Sequence, residues 1–105
     1  MAYDEVLAER LRDRLPAATP KRMFGGLAFL TAGNMTVGVH GDDLLVRLRP
    51  EDADAALARP GVRPFDLTGR PMRGWIVVAG EQLDDADLDR WVADASAFVA
   101  TLPAK

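Results

Sequence analysis

Few side chains in this sequence have the types and spacing that catalysis requires. His40 is the only histidine, the chain has no cysteine, and Ser96 lies inside an amphipathic stretch rather than in a Gly-x-Ser-x-Gly turn. General acid–base catalysis by His40 would need a nucleophile for it to activate, and the sequence offers no obvious one. We therefore expect a protein without enzymatic activity, with His40 at its surface.

Carboxylates and glycines offer no clearer site. Asp84, Asp85, Asp87 and Asp89 open the last predicted helix, where capping and the helix dipole explain acidic residues. A metal needs converging ligands, and one histidine with scattered carboxylates does not predict them. The Gly25-Gly26 pair leads into an apolar strand, whereas a phosphate-binding loop leads into a helix. We expect neither a metal nor another cofactor.

The remaining candidate is a basic and apolar interaction patch. Met, Trp and Arg are enriched at binding hot spots. If the Lys21 end of the first predicted strand lies near the segment from Arg70 to Trp75, a basic rim surrounds apolar groups. The alternative is that Met and Trp fill the core while the arginines solvate its edge. The patch comprises Lys21, Arg22, Met23, Phe24, Gly25, Gly26, Arg70, Met72, Arg73, Gly74 and Trp75.

Three amphipathic helices frame the predicted strands. Tyr3, Leu7, Leu11 and Leu15 recur every four residues, and Pro16 ends that helix. Pro50-Glu51-Asp52 opens a short second helix, which we expect to be peripheral. Asp84 is a good N-cap for the last helix, which Pro103 stops. Its apolar positions follow a three-four repeat: Leu88, Trp91, Val92, Ala95, Phe98, Val99 and Leu102.

Alternation and turn residues predict about five antiparallel strands. The first runs from about Arg22 to Thr31, bent by its two glycines, and two more follow over 35–40 and 44–49. Their non-core face should present Thr36, His40, Arg47 and Arg49. Val62–Leu67 and Met72–Ala79 are the last two, and the second is apolar enough for the sheet interior. The fold is α+β: one two-layer domain over 1–105, in the order α-β-β-β-α-β-β-α.

Composition and charge restrict the partners. Apolar residues make up 49% of the chain and charged residues 28%, as in a globular protein. The net charge is −3, and residues 1–50 and 51–105 carry +1 and −4, so direct nucleic-acid binding is disfavoured. No run is long enough to span a bilayer and the N-terminus is not signal-like. We expect a cytoplasmic protein without membrane contact.

The most distinctive motifs resemble a known family. Lys21-Arg22-Met23-Phe24-Gly25-Gly26, then Gly33-Asn34-Met35, and later Arg70-Pro71-Met72-Arg73-Gly74-Trp75 are similar to the N-terminal domain of the TfoX/Sxy family. That family regulates competence, the bacterial programme for DNA uptake, and its full-length members carry a second, C-terminal domain. The resemblance covers nearly all 105 residues. It implies a stand-alone TfoX N-terminal-like domain with a compact fold like that of secretion chaperones.

Three functions remain open. The first is a non-enzymatic regulatory domain that acts through a protein partner, for which the resemblance implies a transcriptional context; a homodimer is a further option. The second is a domain that binds a small molecule or nucleotide derivative, with the glycine-bent strand as a pocket wall. The third is an accessory protein of nucleic-acid modification, since basic and aromatic residues alternate near Arg73 and Trp75.

Overall fold

One antiparallel sheet carries three α-helices in the computed structural model of the chain, which describes residues 3–23, 25–66 and 73–104. Within these residues the sheet has six strands, one more than expected, in the order β1-β2-β3-β4-β6-β5. The α+β class is confirmed. The elements are α1 Glu5–Arg14, β1 Thr19–Met23, β2 Gly26–Thr31, β3 Asn34–His40, β4 Asp43–Arg47, α2 Pro50–Ala56, β5 Val62–Pro64, β6 Trp75–Val78, a 3-10 turn Gly80–Gln82 and α3 Asp85–Val99.

The glycine pair ends one strand and begins another. Gly25, with a φ of +76°, lies in the hairpin turn between β1 and β2, and Met23 pairs with Gly26. The prediction of a single bent strand from Arg22 to Thr31 is therefore wrong. The left-handed conformation reverses the chain instead of bending it, since glycine adopts it without a steric cost. The additional strand, β1, begins at Thr19, in the segment before the predicted strand.

Aspartates cap the starts of α1 and α3, and the cap at Asp84 confirms the prediction for the last helix. The Asp4 carboxylate accepts hydrogen bonds from the backbone N–H groups of Val6 and Leu7, at 2.9 and 3.2 Å. The Asp84 carboxylate accepts one from Asp87 at 2.8 Å. These bonds satisfy N–H groups that have no partner inside the helix. None of the helices in the described part of the chain combines the length and apolar character that a bilayer crossing requires.

Ion pairs join the first helix to the last. Arg10 donates to Asp85 at 3.0 Å, and Arg14 donates to Asp85 and Asp89 at 3.3 and 2.6 Å. All three pairs lie at the surface, where each contributes little to stability on its own. Two of the four clustered aspartates thus hold α1 against α3. The acidic start of α3 therefore has structural partners as well as a capping role.

The core lies on both faces of the sheet. Against the helices, one face buries Phe29, Leu44 and Ile76, each at most 1% exposed. Because successive strand residues alternate in direction, their neighbours form a second cluster on the opposite face. This second cluster comprises Ala28, Met35, Leu45, Phe65 and Val77. Strand β6 lies between β4 and β5, which confirms its interior position.

Strand β3 departs from the predicted alternation. Pairing between β2 and β3 shifts register between Phe29 and Leu30, so Met35 joins the second cluster instead of the helix-facing core. A one-residue shift moves side chains to the other face. Thr36, which was expected on the solvent face, is completely buried, and its hydroxyl donates to the Thr31 hydroxyl at 3.3 Å. His40 is half-buried.

Candidate functional site

The first half of the predicted interaction patch lies on the edge strand β1. All five residues of β1 are exposed, and β2 is its one strand neighbour in the described sheet. Lys21 and Arg22 make no ion pair with any residue that the structure describes. Met23, a large apolar side chain that follows these two cations, is 38% exposed. Gly25 is exposed and Gly26 is buried.

The second half of the patch lies beside α2. Arg73 is exposed and donates to Asp54 of α2 at 3.2 Å. The Gly74 carbonyl accepts a hydrogen bond from Leu48 at 2.8 Å, and a Cβ at Gly74 would lie 3.2 Å from the Leu48 oxygen. Trp75 is half-buried against the second cluster, as the core interpretation of the patch expected. This end of β6 is therefore tied to the β4–α2 connection.

Strand pairing separates the two halves. Arg22 pairs with Leu27, and the same row continues through Val39 and Leu44 to Val78, at the far end of β6 from Trp75. Strands β2, β3 and β4 intervene, and four steps of about 4.8 Å make about 19 Å along the sheet. The described residues of the patch therefore do not form one surface. Phe24, Arg70 and Met72 lie outside the described residues, and a binding role for the patch stays a prediction.

A cleft between α2 and α3 is a feature that sequence reasoning missed. It has a volume of about 450 Å³. Its floor includes Leu48, Ala56 and Trp91, all less than 10% exposed. Alanines on the facing helices leave the space open, because they carry no side chain beyond Cβ. The other lining residues are Arg49, Asp52, Ala55, Arg59, Asp94, Ala97 and Phe98.

Aromatic rings contact two arginines, Arg59 in this cleft and Arg47 beside it. The Arg59 guanidinium carbon lies 4.4 Å from the centroid of the Trp91 ring. That of Arg47 lies 5.2 Å from the Trp75 centroid and 5.8 Å from the Phe98 centroid. These are cation–π distances. The helical repeat identified Trp91 and Phe98 only as core positions, and no sequence signal paired them with arginines 32 and 51 positions away.

The charged groups that make no ion pair are unevenly distributed. Within the described ranges, six basic residues lack a carboxylate within 4 Å, and five of them fall in two places. Lys21 and Arg22 lie on β1, whereas Arg49 and Arg59 line the cleft and Arg47 lies beside it, against the ring of Phe98. The remaining one is on α3. The residue on α3 is Arg90.

The candidates for catalysis stay apart from one another. His40 makes an edge-to-face contact with Phe65, with ring centroids 5.8 Å apart. Ser96 is half-buried within α3. No group of three or more histidine, aspartate or glutamate side chains in the described segments is arranged to hold a metal ion. The expectation of no enzymatic activity stays a prediction.

The lowered pKa of the Asp43 carboxyl has a structural explanation. Burial raises the pKa of this carboxyl, but hydrogen bonds from Arg63 at 2.8 Å and from the Gly80 backbone at 3.1 Å outweigh it and lower the pKa. Both donors favour the charged form. The carboxylate thereby ties β4 to β5 and to the 3-10 turn, so its pKa shift has a structural cause.

Comparison with known proteins identifies the family. The profile of the TfoX N-terminal domain matches residues 9–99, which include nearly all of the strands and helices described above. No curated protein and no solved structure matched the chain. The matched range includes the glycine hairpin, the sheet and the whole of α3. The chain therefore belongs to the TfoX N-terminal domain family.

Proposed function

We propose that this domain is a non-enzymatic regulatory module that acts by binding a protein partner through strand β1. The observation that carries the proposal is the exposure of the whole strand at the edge of the sheet, with two cations that make no ion pair with any described residue. An edge strand presents backbone groups to which an extended segment of another chain can add. Membership of the TfoX family supports a context in transcriptional regulation.

Charge complementarity favours an acidic partner segment. Lys21 and Arg22 form a local positive site on a protein whose net charge is −3. An acidic extended segment would neutralise both side chains and accept further hydrogen bonds from them. Pairing of β1 with β1 of a second copy, in an antiparallel register centred on Lys21, would place the two lysines opposite each other. Like charges opposite each other are destabilising, so a heterologous partner fits better than a homodimer.

The edge strand is only partly open to backbone pairing. Pro20 has no N–H to donate, and a basic residue on an edge is a common device against unspecific strand addition. A partner must therefore offer acidic side chains as well as backbone groups. This double requirement makes the site selective.

Quantitative affinity capture from the native cell extract tests this function. The double variant Lys21→Glu/Arg22→Glu should lose a partner that the unchanged domain retains, without a change in melting temperature. Arg90→Glu is the matched control, because Arg90 is also exposed and makes no ion pair with a described residue. Equal capture of every protein by the double variant and the unchanged domain would contradict the proposal. Size-exclusion chromatography with light scattering would expose a homodimer instead.

A further inference from the structure

We infer that the cleft between α2 and α3 is a binding site for a small, hydroxylated organic phosphate. Its arginines, its apolar floor and its carboxylates are each suited to a different part of such a ligand. The site is separate from β1 and does not depend on the function proposed above.

Two arginines that line the cleft, Arg49 and Arg59, are suited to bind the phosphate group. A guanidinium that lies over an aromatic ring keeps its N–H groups in its own plane, directed away from the ring, where they can donate in pairs to an oxyanion. Arg59 lies over Trp91 at 4.4 Å, and neither its guanidinium nor that of Arg49 donates a hydrogen bond to a described residue. A phosphate offers three acceptor oxygens and a carboxylate only two, so a phosphate is the better match for a cleft lined by two guanidinium groups. Stacking also orders Arg59 in advance, which lowers the entropic cost of binding.

The remainder of the cleft is suited to a hydroxylated body. Leu48 and Ala56 provide an apolar floor, and the volume of about 450 Å³ is within the range of small-ligand sites. Asp52 and Asp94 line the same cleft and make no ion pair in the described chain. Carboxylates would repel a bare anion but accept hydrogen bonds from hydroxyl groups, as they do from ribose. A ligand with both a phosphate and hydroxyls therefore fits better than inorganic phosphate.

Isothermal titration calorimetry on the complete chain tests the inference. The probes are ribose 5-phosphate, adenosine 5′-monophosphate, adenosine and inorganic phosphate. We expect one-to-one binding of at least one of the two organic phosphates, and binding at least about tenfold weaker for adenosine and for inorganic phosphate. Preference for the nucleotide would show that a base occupies the floor, and equal binding would show that the sugar suffices; both results support the site.

Variants locate the binding. Arg59→Lys keeps the charge but loses the planar fork, and Arg49→Ala removes the second cation; each should weaken binding by about tenfold or more. Arg90→Ala is the control and should bind unchanged. Lys21→Glu/Arg22→Glu should also bind unchanged, which separates this site from the β1 surface. The inference is overturned if neither organic phosphate binds, if inorganic phosphate binds as tightly, or if Arg90→Ala weakens binding as much as the cleft variants.

Discussion

The backbone of Gly26 lies against the carbonyl oxygen of Val39, so closely that a Cβ at Gly26 would stand 2.0 Å from that atom. Its neighbour Gly25 has open space around it but a φ of +76°. The two adjacent glycines therefore have different physical roles: one permits a left-handed turn, and the other permits close contact with the neighbouring strand.

This difference predicts unequal costs for alanine at the two positions. Gly26→Ala should lower the free energy of unfolding by about 2–3 kcal/mol, because backbone atoms of β3 must move. Gly25→Ala should cost about 1 kcal/mol, the penalty for a left-handed alanine. Urea unfolding followed by circular dichroism measures both. A larger loss for Gly25→Ala would contradict the assignment of roles.

Asp43 predicts an acid-sensitive contribution to stability. Its folded pKa lies below the value of an unfolded aspartate, since Arg63 and the Gly80 N–H outweigh the effect of burial. The contribution is thus complete above the unfolded pKa and is lost as the pH falls through the folded pKa. Asp43→Asn should cost about 1 kcal/mol at pH 7. The difference from the unchanged protein should shrink on going below about pH 4, and a constant difference would rule the mechanism out.

The buried amide of Asn34 predicts a stabilising link to the C-terminal end. Asn34 is 2% exposed and donates from Nδ2 to the carbonyl of Pro103 at 2.8 Å. Asn34→Ala should lower the free energy of unfolding by about 1–3 kcal/mol, because a carbonyl group loses its donor and a small cavity remains. Thermal unfolding checks this. Thr101→Ala, on the exposed side of the same turn, is the control and should change stability less.

Removal of the end of α3 should unfold the domain. A chain of residues 1–93 lacks Ala95 and Val99, which are at most 3% exposed, and the link from Asn34 to Pro103. Loss of this much apolar contact exceeds the margin of an ordinary small domain. We expect no cooperative thermal transition for residues 1–93. A sharp melt near that of the complete chain would show that the final turns of α3 are dispensable.

The cation–π contact of Arg59 predicts a small effect on stability. Arg59→Lys should change the free energy of unfolding by no more than about 1 kcal/mol, since such contacts near the surface are weak. Trp91→Ala should cost about 3–5 kcal/mol, because the ring is 3% exposed and packs in the core. Denaturant unfolding of both variants checks the contrast. Equal losses would mean that Arg59 has a structural role, and Arg59→Lys could then not serve to test ligand binding at the cleft.

Local patterns along the chain determined the helices, the α+β fold class and most strand positions. Asp84, the three-four repeat after it and Pro103 predicted α3 because caps, periodicity and proline act within a few residues. The alternation of side-chain types over 44–49 likewise predicted strand β4. The motifs around Lys21 and Arg73 were sufficient to suggest the family, which the profile match over residues 9–99 then showed.

Relations between distant segments depended on the tertiary structure. Local patterns do not report register, so the shift at Leu30 and the burial of Thr36 were not predictable from alternation. Strand order is equally non-local, and it places three strands between Arg22 and Trp75. The stacking of Arg59 on Trp91 joins residues 32 positions apart, one in the turn after α2 and the other in α3. Such contacts arise only when the elements pack, because residue types alone do not specify which neighbours they meet.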